Sequence, residues 1–149
     1  MSRPEPALAQ SWCALSALHN RIESHIEKAL QSAHGISVRE FSVLGVLSGQ
    51  HDGDGGHFRM NELADAVVLS LSATTRLVTR LEDRGLLSRY LCPTDRRSIY
   101  TDVTAAGARL LAEAGPTNDR ALAEALADAE RRPELAPLAA AVRTLRPAA

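Results

Sequence analysis

The chain has 149 residues, 45% of them apolar and 23% charged, with a formal net charge of −1; that balance excludes a wholly disordered chain, and no apolar run approaches the ~20 residues needed to span a bilayer. Two cysteines, Cys13 and Cys92, cannot build a disulfide framework or a four-cysteine zinc site, and Met1 to Gln10 has no apolar segment of a secretory leader, so a cytoplasmic address with no membrane partner is expected. The small net charge hides an asymmetry: residues 1–69 carry −3 and residues 101–149 carry −1, whereas residues 70–100 carry +3 through Arg76, Arg80, Arg84, Arg89, Arg96 and Arg97.

Trp12 to Leu30 places Leu15, Leu18, Ile22, Ile26, Ala29 and Leu30 at spacings of three and four, which predicts an amphipathic helix, with Gly35 as its stop. Ser37, followed three residues later by Glu40, caps a second helix through Phe41, Val43, Leu44, Val46 and Leu47. Residues 49–57 hold four glycines and form a loop. Met60 to Val67 is a short helix, and Leu71 to Arg84 a longer one closed by Gly85. Past Gly85 the period changes to strand-like runs, Leu86 to Leu91 and Ser98 to Val103, around the polar turn Pro93 to Arg97, a β-hairpin. Thr104 caps a helical region from Ala105 to Glu130, with a kink or break expected at Gly115-Pro116, and Pro133 opens a last helix from Glu134 to Arg146.

The arginines therefore fall on the second helix of a helix-turn-helix and on a hairpin directly after it. Thr74, Leu77, Val78 and Leu81 form the inner face of that helix, and Ser72, Ala73, Thr75, Arg76, Thr79 and Arg80 the outer one. Short polar residues followed by arginine suit a helix probing the major groove, where arginine grips guanine and a threonine methyl touches thymine. An arginine at a hairpin tip suits a narrow minor groove.

Leu63-Ala64, Leu69-Ser70-x-Ser72, Thr75-Arg76-x-Val78-x-Arg80-Leu81-Glu82, Arg84-Gly85-Leu86-Leu87-x-Arg89, Asp95-Arg96-Arg97 and Val103-Thr104-x-x-Gly107 resemble the MarR family of winged-helix transcriptional regulators. The resemblance is dense from Ser37 to Leu111. It implies one mainly α domain over 1–149 with a small β-hairpin wing: a winged helix-turn-helix lobe at 37–104, and dimerisation helices at 8–34 and 105–146. It also implies a homodimer that binds a pseudo-palindromic double-stranded DNA operator, as a repressor released by a small aromatic or phenolic effector, with no cofactor. Position by position, Ser70 becomes the cap of the recognition helix, while Ser72, Ala73, Thr75 and Arg76 approach bases. Arg80 and Arg89 lie near phosphates, Arg97 is the wing-tip arginine, and Asp95 orients the wing arginines Arg96 and Arg97. Two positions depart from the family pattern: Leu71 stands where relatives often have proline, and Val103 replaces leucine.

In the family the effector sits between the dimer helices and the winged lobe, which makes Trp12, Leu15 and His19, on one face of the first helix, and Arg39 candidate ligand residues. The same apolar residues could instead form dimer core. Cys92, among Arg89, Arg96 and Arg97, is a candidate redox thiol, so a redox-sensing regulator is the alternative; a helical homodimeric ligand-binding module without a DNA role is another. The loop residues His51, Asp52, Asp54 and His57 could hold a metal, but position 12 counted from Asp52 is Leu63, against an EF-hand, and a solvated connector is the expectation. With no nucleophile elbow, phosphate loop or Cys/His signature, no enzyme is expected.

Overall fold

The computed structural model describes residues 4–51, 58–91 and 99–146. It contains α1 (Pro4–His34), α2 (Val38–Ser48), a 3-10 turn (Gly49–His51), α3 (Met60–Val67), α4 (Leu71–Asp83), β1 (Leu87–Leu91), β2 (Ile99–Val103), α5 (Ala105–Glu130) and α6 (Ala136–Thr144). Two compact units divide the chain, one of residues 1–32 with 117–149 and one of residues 33–116. No helix among the described residues is long and apolar enough to cross a membrane.

The 33–116 unit is a winged helix-turn-helix. Ser37 accepts from the Glu40 amide at 3.0 Å while the Glu40 carboxylate accepts from the Ser37 amide at 2.9 Å, the reciprocal cap expected of this spacing. Val43, Leu44 and Leu47 of α2 meet Leu63 and Val67 of α3, Leu77, Val78 and Leu81 of α4, and Leu86 and Leu87 at the wing in one buried cluster. Ser70 caps α4, its hydroxyl accepting from the Ala73 amide at 3.1 Å. The far end of α4 closes through Gly85, at φ +75°, with the Gly85 amide on the Glu82 carbonyl and the Leu86 amide on the Leu81 carbonyl, both at 2.9 Å. That paired reversal turns the chain directly into β1. β1 and β2 pair antiparallel in the register Leu87 with Val103, Arg89 with Thr101 and Leu91 with Ile99.

The turn between α3 and α4 is built differently. Val68 takes φ +57° and ψ +50°, a left-handed conformation that crowds a β-branched side chain, and it lies almost wholly in solvent. The Leu69 amide on the Ala64 carbonyl at 3.0 Å holds the turn.

In the other unit, Leu18 of α1 packs with Leu126 and Ala129 of α5 and with Leu135 and Ala139, flanked by Ala14, Ile22, Leu122 and Leu138. Across it, His25 Nε2 lies 2.9 Å from Glu124 Oε2, and Arg143 pairs with Glu130.

Three boundaries differ from expectation. α1 begins at Pro4, well before Trp12, because solvent-facing turns carry no apolar period and proline costs nothing where the first amides are unpaired anyway. α5 stays helical through Pro116, so of the kink or break expected there the break does not occur. One missing amide bond is tolerated in a 26-residue helix whose two halves are each packed, Leu110 and Leu111 on one side of the proline and Leu122 and Leu126 on the other. α6 starts at Ala136 with Pro137 in its first turn, while Pro133 lies in the preceding turn.

Candidate nucleic-acid interface

The candidate recognition surface is the outer side of α4. Its threonines fold their hydroxyls back onto the helix: Thr74 donates to the Ser70 carbonyl, Thr75 to Leu71 and Thr79 to Thr75, each at 2.9 Å. The methyl groups and the spent hydroxyls of Thr75 and Thr79 are thereby held in fixed orientation. Thr74 is buried in the core, Ser70, Ser72, Thr79, Arg76 and Arg80 are exposed, and Ala73 and Thr75 are half-buried.

The four described arginines between 76 and 89 separate into two kinds. Arg84 Nη1 donates to Glu40 Oε2 at 3.3 Å, and Arg89 lies against Glu82 and Thr79, with its Nη2 donating to Thr79 Oγ1 at 2.5 Å. Arg76 and Arg80, one turn apart and both solvent-facing, have no ion-pair partner among the described residues. Such guanidinium groups on the solvent side of a helix whose inner face is held by the core are a ready counterpart for an anionic, hydrogen-bond-accepting surface. They border a cleft of about 590 Å³ whose other walls include Ser37, Arg39, Leu69 and Ala73. On the wing side, Arg59, Met60, Leu71, Arg89 and Ile99 border a second cleft of about 430 Å³.

Sequence reasoning gathered Ser70, Ser72, Ala73, Thr75, Arg76 and Arg80, and the structure brings them onto one helix side. Asp95, Arg96, Arg97 and Cys92 lie outside the described residues, as do 52–57 of the candidate metal loop; among the described residues no group of three or more His, Cys, Asp or Glu side chains could hold a metal. Trp12, Leu15 and His19 are all exposed on α1 in the first unit, whereas Arg39 is half-buried in the second and borders the cleft beside Arg76 and Arg80. Cys13 is an exposed free thiol. Sequence reading missed Gln50 altogether, and it missed the longer-range roles of Glu40 and Glu82, which receive Arg84 and Arg89. The capping spacing of Ser37 and Glu40 signalled a local role for Glu40, and the i, i+3 relation of Thr79 and Glu82 on one helix side is the signal that could have linked Glu82 to the surface.

Comparison with known proteins agrees with this geometry. The MarR family model matches residues 34–98. The HTH-type transcriptional regulator MhqR of Bacillus subtilis (strain 168) is 33% identical over 102 residues, 68% of this chain; the chain spans just under two thirds of that relative, 66% of its length. A MarR family transcriptional regulator from Rhodococcus sp. RHA1 is 32% identical, with a TM-score of 0.63 over 72% of this chain and 71% of that one. A MarR family regulator from Streptomyces coelicolor, solved in complex with DNA, is 25% identical, with a TM-score of 0.71 over 99% of this chain and 92% of that one. A helix-turn-helix with its wing, exposed arginines on the second helix and kinship across most of the chain place the protein in the MarR family of transcriptional regulators.

Proposed function

We propose that the protein is a homodimeric repressor that reads a pseudo-palindromic DNA operator through α4. The observation that carries this is the pair Arg76 and Arg80, exposed and without an ion-pair partner among the described residues on the outer side of α4, beside the cap residue Ser70 and the exposed Ser72. Arg76, nearer the N-terminal end, is placed to meet a guanine edge, and Arg80, one turn later, a phosphate. A relative of the same fold solved with DNA supports the reading. Asp95, Arg96 and Arg97 extend it to the wing as the resemblance implies.

Dimerisation is supported by Leu8, Trp12 and Leu15, which leave 73%, 65% and 45% of their surface exposed along one face of α1. The effector proposed is a small aromatic carboxylate or phenol. The cleft bounded by Arg39, Arg76 and Arg80, with Leu69 and Ala73 as apolar wall, has the volume and the cation–apolar mix such a ligand needs. An anion seated there would occupy arginines that DNA requires, and so would compete with the operator.

The experiment is to sequence the DNA that co-purifies with the protein and measure binding to the recovered site by fluorescence anisotropy. Arg76→Ala is expected to cut discrimination against substituted sites by ~1–3 kcal/mol, and Arg80→Ala to weaken all sequences alike with a shallower salt dependence. Equal binding by the parent and both variants overturns the assignment of α4.

A further inference from the structure

We propose that Arg89 is not a backbone grip but a clasp that locks the wing strand β1 onto the recognition helix α4, with Glu82 as its positioning residue. Its DNA consequence rests on the reading above; the clasp itself does not. Thr75, Thr79 and Glu82 follow at spacings of four and three and so form one stripe along α4. Arg89, in the middle of β1 and opposite the buried Thr101, reaches across to that stripe.

The partners are chemically matched. Thr79 spends its only hydrogen on the Thr75 carbonyl, so towards the wing it can only accept, and a guanidinium can only donate. Arg89 Nε lies 2.9 Å from Glu82 Oε2. Both atoms are buried, and among the described residues neither makes an aligned hydrogen bond, so this contact is charge pairing. One bidentate edge of the guanidinium, Nε with Nη2, therefore faces α4, and only the end-on edge, Nη1 with the second hydrogen of Nη2, is left for a phosphate. Glu82 also opposes the field that a phosphate would feel. Arg76 and Arg80 keep both of these assets.

A two-stranded hairpin is marginal by itself and owes its angle to what it leans on. Core packing at Leu87 anchors its base. The Arg89 clasp lies two residues further out and sets the angle of the strands beyond it relative to α4. That angle decides whether the helix and the wing reach adjacent grooves together.

The test is a charge exchange: Glu82→Arg, Arg89→Glu and the double variant beside the parent, with Glu82→Gln as a milder probe. Without DNA, each single exchange is expected to lower the melting temperature and the double variant to recover at least about half of the summed loss, the mark of two coupled residues. With operator DNA, Arg89→Glu should bind at least about tenfold more weakly, and the double variant should return to within about threefold of the parent with an unchanged salt slope. Glu82→Gln should weaken binding, because Arg89 loses its seat. The clasp is overturned if the melting-temperature losses simply add. Its DNA role is overturned if the double variant stays as weak as Arg89→Glu with a slope reduced by about 0.9 per phosphate contact, or if Glu82→Gln tightens binding by releasing Arg89 to the backbone. A parent that binds no DNA at all overturns the DNA reading instead, and the melting cycle alone then decides the clasp.

Discussion

Thr104 donates its hydroxyl to the Gly85 carbonyl at 2.6 Å and, with the same oxygen, accepts from the Gly107 amide at 3.1 Å. Its own amide meets the Leu86 carbonyl at 3.1 Å. The first turn of α5 is thus seated on the reversal that closes α4, which explains the Thr-x-x-Gly spacing physically. A methyl group at position 107 would run into the Leu86 carbonyl oxygen and the Val103 side chain.

Gly107→Ala is therefore expected to destabilise the 33–116 unit by ~1–3 kcal/mol, since the obstructing atom is backbone and cannot swing aside. Thr104→Val should cost about 1–2 kcal/mol through loss of the cap and of the bond to Gly85. Urea denaturation of both variants checks this. A Gly107→Ala protein as stable as the parent would show that the two turns are not in such close approach.

Val68 is the reverse case, a residue that fits its place badly. Its left-handed backbone costs a β-branched side chain ~1–2 kcal/mol, and with 82% of its surface exposed it gains no packing in return. Val68→Gly removes the strain at the cost of ~0.5–1 kcal/mol in unfolded-chain entropy. The net expectation is a gain of up to about 1 kcal/mol, visible as a higher melting temperature. A lower one would mean that the valine side chain has a contact that outweighs its strain.

Gln50, 5% exposed, joins three parts of the lobe. Its Nε2 donates to the Thr101 carbonyl at 2.9 Å and to Asp102 Oδ1 at 3.0 Å, and its Oε1 accepts from the Phe58 amide at 3.0 Å. Gln50→Leu keeps the bulk but strands the Phe58 amide and the Thr101 carbonyl, at a cost of ~1–3 kcal/mol for each group left dry. Gln50→Glu should also destabilise, because a carboxylate there faces Asp102 with no hydrogen to give. Amide exchange in β2 is the direct readout, with faster exchange at Thr101 and Asp102 expected in both variants. Unchanged exchange would mean that Gln50 does not hold β2.

What could be read from the sequence was what local chemistry writes at short spacing. Ser37 with Glu40, Ser70 before α4, Gly85 after it and the change of period into the hairpin all act within a few residues of themselves. The outer side of α4 followed from the same rule. Unreadable were the partners supplied from far along the chain: Glu40 is a cap residue by its spacing, yet it also receives Arg84 from 44 positions away, and Gln50 meets Thr101 across 51. Arg89 was placed near phosphates by the resemblance, and its contacts with Glu82 and Thr79 were not legible because only the fold brings those residues beneath it. At Pro116 the break that the sequence allowed does not occur, since packing on either side of it is a tertiary fact that outweighs a local propensity.

The exposed face of α1 makes the last prediction. Leu8, Trp12 and Leu15, at spacings of four and three, form one apolar stripe, and Val142 and Leu145 add exposed apolar surface in the same unit. Left in water, such a stripe costs about 25 cal/mol for each Å² that a partner could cover, which favours burial against a second copy. Sedimentation at micromolar concentration should give about 32 kDa, twice the 16.0 kDa chain. Trp12→Arg should weaken the dimer by about 30-fold or more if the indole is a central anchor, because a buried charge then replaces the largest apolar group of the stripe. Operator affinity should fall with it, since each separated subunit retains one α4 and can hold only one half-site. A Trp12→Arg protein that stays dimeric would place the seam on another face of the terminal helices. A parent that sediments as a concentration-independent monomer would remove the dimer, and with it the need for a two-fold operator.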